Sequence, residues 1–393
     1  MKQPRGSRLL VVAVVGALAA TGLSAAATAA PVPARVAAAP TVSPVQQIKD
    51  DLNQHLLRAL QDEVALRVFL GRMVRDGQAD LLTVLADAGS PAGVEFSRYA
   101  TEANDRVIDL KGLDGMRGSA LRARLGDPAM ARQLEAGVPP LLAAGPGDSA
   151  REGTFPAYDL GGRQVDLDLV RPADVPVVLV ELDDEAISPV GMRVLSAELN
   201  ALGMASDLVV SSGDVRETEG GARKAAGASQ RTAGGAQYPA TRLDRIFLHD
   251  DQEPWVKGRA EIYGLVMGQG KNGKGRTDVV DMTYLDYDGK TYYPHQQLIN
   301  WSNFTWNAVD LLLMEEDDGT NYKSVAKAVV GAILGVLGAA AYLPLVNLVL
   351  SVLPPDEDDY VDAFYMMSRE QSGTFLGVSA NAIITVVPLV VTS

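Results

Sequence analysis

Ala308-Val309-Asp310-Leu311-Leu312-Leu313-Met314-Glu315-Glu316-Asp317-Asp318-Gly319 is the run on which the reading of this chain turns. Its apolar half, Ala308–Met314, has the length and composition of a buried strand. Four acids follow at once, and Gly319 turns the chain. Beyond them Ala328–Pro355 carries no charge, and Asp356-Glu357-Asp358-Asp359 closes its far side. Such an apolar run buries itself in protein or in lipid. The flanking acids repel each other unless a cation or basic side chains hold them.

Working outward, the last part of the chain is mostly β in pattern. Leu243–Leu248, Ala260–Met267, Val279–Tyr287, Lys290–Tyr293, Ala308–Met314, Tyr360–Met367 and Ala382–Val391 read as strands. Asp288-Gly289 sits between two of them as a two-residue hairpin turn would. Strands of this number and spacing predict an antiparallel β-sandwich over 238–393, with a hydrophobic helical insertion at 321–355.

Upstream the pattern changes. Residues 46–138 read as a helical region: Ile48, Leu52, Leu56, Leu60, Val64, Val68 and Leu85 mark one apolar face, and further helical stretches are expected over Pro91–Val107 and Ser119–Leu134. Gly89-Ser90-Pro91 and Gly126-Asp127-Pro128 punctuate them. Pro139–Gly153 reads as a Pro/Gly/Ala linker. A small α/β segment is expected over 154–211, with strands at Val165–Leu169, Val175–Leu182 and Asp207–Ser211 and a helix over Val190–Leu202. It has no Gly-rich strand-to-helix turn of nucleotide-binding type. Residues 212–237 are low in complexity and read as a disordered linker. The predicted class is therefore α+β.

The N-terminus reads as a secretory signal over 1–29. Lys2, Arg5 and Arg8 precede the apolar Leu9–Leu23, and Ala27-Thr28-Ala29 fits the small-x-small cleavage rule. A flexible tether, 30–45, follows. The chain carries −14, and loss of the leader with its three basic residues makes the remainder more acidic still. That balance argues against nucleic acid and anionic lipid as partners and is compatible with divalent cations. Cysteine is absent, so export would not rely on disulfides.

Three constellations bear on chemistry. Acids from the loops at one end of a sandwich, Asp250, Asp251, Glu253, Asp317, Asp318, Asp358 and Asp359, could supply the six to eight hard oxygens that calcium takes. The alternative is ordinary solvated loop acids. The uncharged run has Gly331, Gly335 and Ala339 four apart, which permits close helix packing. Its first leg, Ala328–Tyr342, is shorter than the ~20 residues of a membrane span. Burial against protein is the expectation, with membrane or partner contact through 328–355 as the alternative. The aromatic residues Tyr284, Tyr287, Tyr292, Tyr293, Trp301, Phe304 and Trp306 read as sheet core ahead of a carbohydrate platform. The three histidines, His55, His249 and His295, fall in no zinc-protease or nucleophile-elbow motif, so no catalytic residue is assigned. A carboxylate-dependent hydrolase stays open on the number of acids alone.

Asp250-Asp251-Gln252-Glu253-Pro254-Trp255-Val256-Lys257-Gly258, Ala260-Glu261-Ile262-Tyr263, Asp288-Gly289-Lys290-Thr291-Tyr292-Tyr293-Pro294, Ile299-Asn300-Trp301-Ser302 and Glu316-Asp317-Asp318-Gly319 together resemble an uncharacterised family of secreted bacterial proteins, a domain of unknown function. The resemblance covers roughly the last 150 residues well and the remainder loosely, and implies export but no activity. The spacings Asp251-x-Glu253-Pro254-Trp255 and Glu316-Asp317-Asp318-Gly319 also resemble the acidic loops of calcium-binding C2-type sandwiches. The expectation is a secreted, non-enzymatic calcium-binding module; the competing reading is a toxin-like membrane-active protein.

Overall fold

The computed structural model describes residues 42–86, 88–147, 153–211, 215, 237–250, 256, 257, 259–334, 345–353 and 359–392, with 334 and 359 described by backbone alone. The leader 1–29, residues 30–41 of the tether, nearly all of the 212–237 linker, Asp251, Glu253, Asp358 and residues 335–344 and 354–355 of the insertion lie outside these residues.

The described chain opens on helices whose ends are written in the sequence. α1 (Pro44–Ala59) begins at Ser43, whose Oγ accepts the Gln46 N–H at 3.0 Å, with Pro44 in the first turn. α2 (Glu63–Asp76) is capped by the Asp62 carboxylate on the N–H groups of Val64 and Ala65. β1 (Gln78–Asp80) follows. α3 (Pro91–Lys111) starts on Ser90 and Pro91 and stops at Gly112, whose φ of +68° suits a residue without a Cβ.

β2 (Leu121–Leu125), α4 (Ala131–Glu135), β3 (Leu141–Ala144), β4 (Thr154–Tyr158), β5 (Gln164–Asp168), β6 (Val177–Leu182) and α5 (Asp184–Ala201) complete the first layer. Its six strands run in the order β1-β2-β6-β3-β4-β5, antiparallel except for the parallel β3–β6 pair. Two readings change here. Ser119–Leu134 is not one helix: its first half is β2, because Arg122 and Arg124 face Glu181 and Leu179 across the ladder while Ala123 packs on the other face. The stretch read as a linker, 139–153, holds β3, whose Leu142 and Ala143 are fully buried beside β6.

The remaining elements are β7 (Leu208–Val209), β8 (Gln237–Leu248), β9 (Ile262–Gln269), β10 (Gly275–Asp281), β11 (Thr291–Tyr292), β12 (Gln296–Asn300), β13 (Ala308–Glu315), α6 (Tyr322–Leu334), α7 (Leu345–Leu350), β14 (Asp359–Ser368), β15 (Gly373–Leu376) and β16 (Ala382–Thr392). One sheet runs β14-β13-β9-β10-β7, the other β11-β8-β16-β15 with β12 also on β8. Both feed one core: Ile246 and Ile384 from one sheet meet Val266, Leu311 and Leu313 from the other, with Trp301 and Phe304 closing it. Asp288-Gly289 is not a hairpin turn, since β10 pairs with β9 and β7 whereas β11 pairs with β8; the turn carries the chain between sheets. β7 pairs in parallel with β10, so the chain after α5 becomes an edge of the sandwich.

The protein is an α+β fold. The described part of the insertion is covered by protein: Val325, Val329 and Ile333 of α6 and Val346 and Val349 of α7 are buried. α6 crosses α5 at Gly191, where a Cβ would fall inside the Tyr322 ring. No helix among the described residues is long and apolar enough to cross a membrane.

Candidate functional site

The acid run leaves β13 between the first layer and the sandwich, and basic side chains meet it there. Lys49 lies on the apolar stripe of α1 with Val45, Leu52 and Leu56. Lys111 extends the stripe of α3 marked by Ala100 and Val107. Both lysines are only 1% exposed. Burying an ammonium without a partner costs several kcal/mol, so each needs an anion at its tip.

Those anions are the acids after β13. Lys111 Nζ lies 3.0 Å from Glu316 Oε1 and donates to the carbonyl oxygens of Asp317, at 2.9 Å, and Asp318, at 3.3 Å. Lys49 forms an ion pair with Asp318. Glu316 Oε2 accepts from Ser188 Oγ of α5 at 2.7 Å, and the Glu316 N–H donates to the Glu261 carbonyl at 3.1 Å. Thr320 Oγ1 accepts the Asp317 N–H at 3.1 Å and so turns the loop.

The first layer brings a second charged set. Glu181, near the end of β6, takes Arg122 Nε at 2.7 Å and Arg124 Nε at 2.6 Å on one oxygen. Arg124 Nη2 then donates to the Val256 carbonyl at 2.6 Å, tying the sheet to the segment ahead of β9. Between the two sets lies a cleft of about 30 Å³, lined by Lys49, Lys257 and the acidic residues Glu181, Asp184, Glu261, Glu315, Glu316 and Asp318. It has room for an ion or a couple of waters, not for an organic substrate.

The charges are unevenly neutralised. Burial pushes Asp318 up, but Lys49, Lys257 and Lys111 outweigh it and hold the carboxyl below its usual range. Burial would likewise lower Lys111, but Glu316, Asp184 and Asp318 outweigh it and keep the ammonium charged. Asp184 is the exception. Burial raises it, Arg122 and Lys111 only partly oppose that, and Asp318 and Glu316 add to it, so it is pushed up to about 7.

Of the seven sequence-assigned ligands, Asp317 and Asp318 stand at this junction. Asp359 lies opposite Glu315 in the β13–β14 register, which brings the start of β14 beside the acid run. Asp250 is exposed elsewhere: its backbone exchanges hydrogen bonds with the Asn381 side chain, both at 2.9 Å. Asp251, Glu253 and Asp358 are outside the described residues. Among the described residues no three His, Asp or Glu side chains are grouped to hold one metal ion. Lys49, Lys111, Glu181, Asp184 and Glu261 were not read from the sequence as site residues. The legible signal was a lysine on an apolar stripe in two separate helices, which asks for a buried anion.

Neither the curated proteins nor the solved structures contain a match to this chain. Residues 54–393 match the family described as protein of unknown function, DUF3103, a span that takes in the first layer, the charged junction and the sandwich together, and the chain belongs to that family.

Proposed function

We propose that the protein is a secreted, non-enzymatic binding module whose charged cleft takes calcium. The observation that carries this reading is the cleft itself: six acidic residues line a space the size of one hard ion, which would draw together carboxylates of which no three are grouped beforehand, and the lysines and arginines around it leave Asp184 under-neutralised. A calcium ion supplies the missing positive charge. It shares Asp318 with Lys49 and draws in Asp184 and Glu315, which line the same cleft. Of the ligands expected at one end of the sandwich Asp318 is retained, joined by acidic residues of β6, α5 and the segment before β9.

Binding to the folded state alone stabilises it, by about 2.7 kcal/mol at a hundred times the dissociation constant. The melting temperature of the mature protein is therefore expected to rise by several degrees in calcium relative to a calcium chelator. Asp184→Asn should remove most of that rise. Coincident melts of the unsubstituted protein with calcium and with chelator would end the calcium reading.

A further inference from the structure

A second, larger cleft of about 320 Å³ opens on the other side of Arg122. It lies at the edge of the six-stranded sheet, between the end of α2, β1 and the start of α5. Its volume falls in the range of small-molecule sites, and five of its nine lining residues are charged. Arg122 forms the partition: its Nε holds Glu181 on the inner side, while Nη1 reaches Asp183, at 3.4 Å, on the outer side.

Both signs of charge line this outer cleft. Asp80 stands directly across the β1–β2 ladder from Arg122. One of its oxygens accepts the Leu82 N–H and the other Thr83 Oγ1. Asp183 precedes α5 in the N-cap position but makes no side-chain cap bond, and its half-buried carboxylate faces the cleft instead. At the rim, Arg72 Nη1 pairs with Asp76 at 2.8 Å, with both side chains well exposed.

We infer that this outer cleft binds a small zwitterion, a free amino acid or dipeptide, with the ammonium on Asp183 and Asp80 and the carboxylate on Arg72. Glu181, Asp183 and Asp80 all adjoin the single guanidinium of Arg122, so an ammonium adds positive charge where carboxylates outnumber it, and three donors on one nitrogen can serve two carboxylates together. The exposed Arg72 fork can take a carboxylate in place of Asp76, at small cost because a surface pair contributes little. The third carboxylate of the lining, Asp76, then stays hydrated at the mouth. Arg122 is common to both clefts, but nothing in this site requires calcium in the inner one.

The test is saturation-transfer NMR on the intact mature protein with L-alanyl-L-alanine and with L-alanine as probes. Transfer is expected from at least one of them, and their relative strength identifies the amino acid or the dipeptide as the ligand. N-acetyl-alanyl-alanine and alanyl-alanine amide, each lacking one charged end, should bind at least tenfold more weakly than alanyl-alanine if the dipeptide is bound. N-acetylalanine and alaninamide serve the same purpose for alanine. Asp183→Asn and the surface variant Arg72→Gln should each lose at least tenfold in affinity. Absence of transfer from both probes, undiminished binding of the end-blocked compounds, or unchanged binding in a folded Arg72→Gln protein would overturn the inference.

Discussion

Lys111 is a single side chain on which several buried groups depend. Its buried ammonium neutralises Glu316 and donates to two backbone carbonyls after β13. Removing one partner of a buried pair is far more damaging than the net contribution of the pair, because the other charge is left in a poor solvent. Lys111→Met, close in volume, is therefore expected to lower unfolding free energy by about 3–5 kcal/mol, read as a lower urea midpoint at unchanged slope. Asp184 acts in the opposite sense. Its folded value of about 7 lies above the ordinary 3.8, so the folded state holds more protons than the unfolded between those limits. Stability from this group is full below the ordinary acid range and is lost as pH rises through about 7. Asp318, held low, contributes the reverse: its stabilisation is present near neutrality and disappears as pH falls through the acid range. Urea midpoints of the protein and of Asp184→Asn, compared from about pH 5 to about pH 8, should diverge, the unsubstituted protein losing more as pH rises.

Elements assemble here through a few close approaches. α5 and α6 cross where Gly191 admits the Tyr322 ring, and the same ring lies 5.8 Å from Lys111 Nζ. A methyl group at 191 has nowhere to go without moving that ring. In an exposed helix, Gly→Ala would stabilise by about 1 kcal/mol. At this crossing Gly191→Ala is expected to destabilise by about 1–3 kcal/mol, measured by thermal or urea unfolding, and Tyr322→Ala in the same chain should recover part of the loss. The crossing joins an element of the first layer to the insertion of the sandwich, so it was not readable from local pattern. What was readable followed capping and alternation: Ser90-Pro91 opens α3 where the sequence places it, and β13, β14 and β16 occupy their expected stretches within a residue or two. β2 escaped although Leu121–Leu125 alternates strictly, because Leu, Arg and Ala favour a helix and the partner that fixes the strand, Glu181, is remote in sequence. β3 escaped because four small and apolar residues between Pro and Gly carry no period of their own. The junction was half legible. The acid run announced a need for positive charge, while the identity of its partners depended on where α1 and α3 pack.

At the scale of the whole molecule, the two layers are not independent beads. β7 leaves the first layer's α5 to become an edge of the sandwich, Arg124 reaches the chain before β9, Asn321 Nδ2 donates to the Leu110 carbonyl at the end of α3 at 2.6 Å, and Lys323 pairs with Asp114. The family match, running from 54 to 393, crosses the junction without a break. Residues 237–393 produced alone would expose the α6 face that α5 covers and leave Glu316 without Lys111 and Asp318 without Lys49. That fragment is expected to lack cooperative unfolding and a dispersed NMR spectrum, whereas a fragment that retained both would show the sandwich to be self-sufficient.

The burial of Lys49 and Lys111 also has a chemical consequence. Their amines are hidden from water-borne acylating reagents, while surface lysines such as Lys271 and Lys274 are open to them. Acylation at 49 and 111 can proceed only as fast as the interface breathes, so each molecule carries two built-in clocks that tick once for every transient parting of its halves.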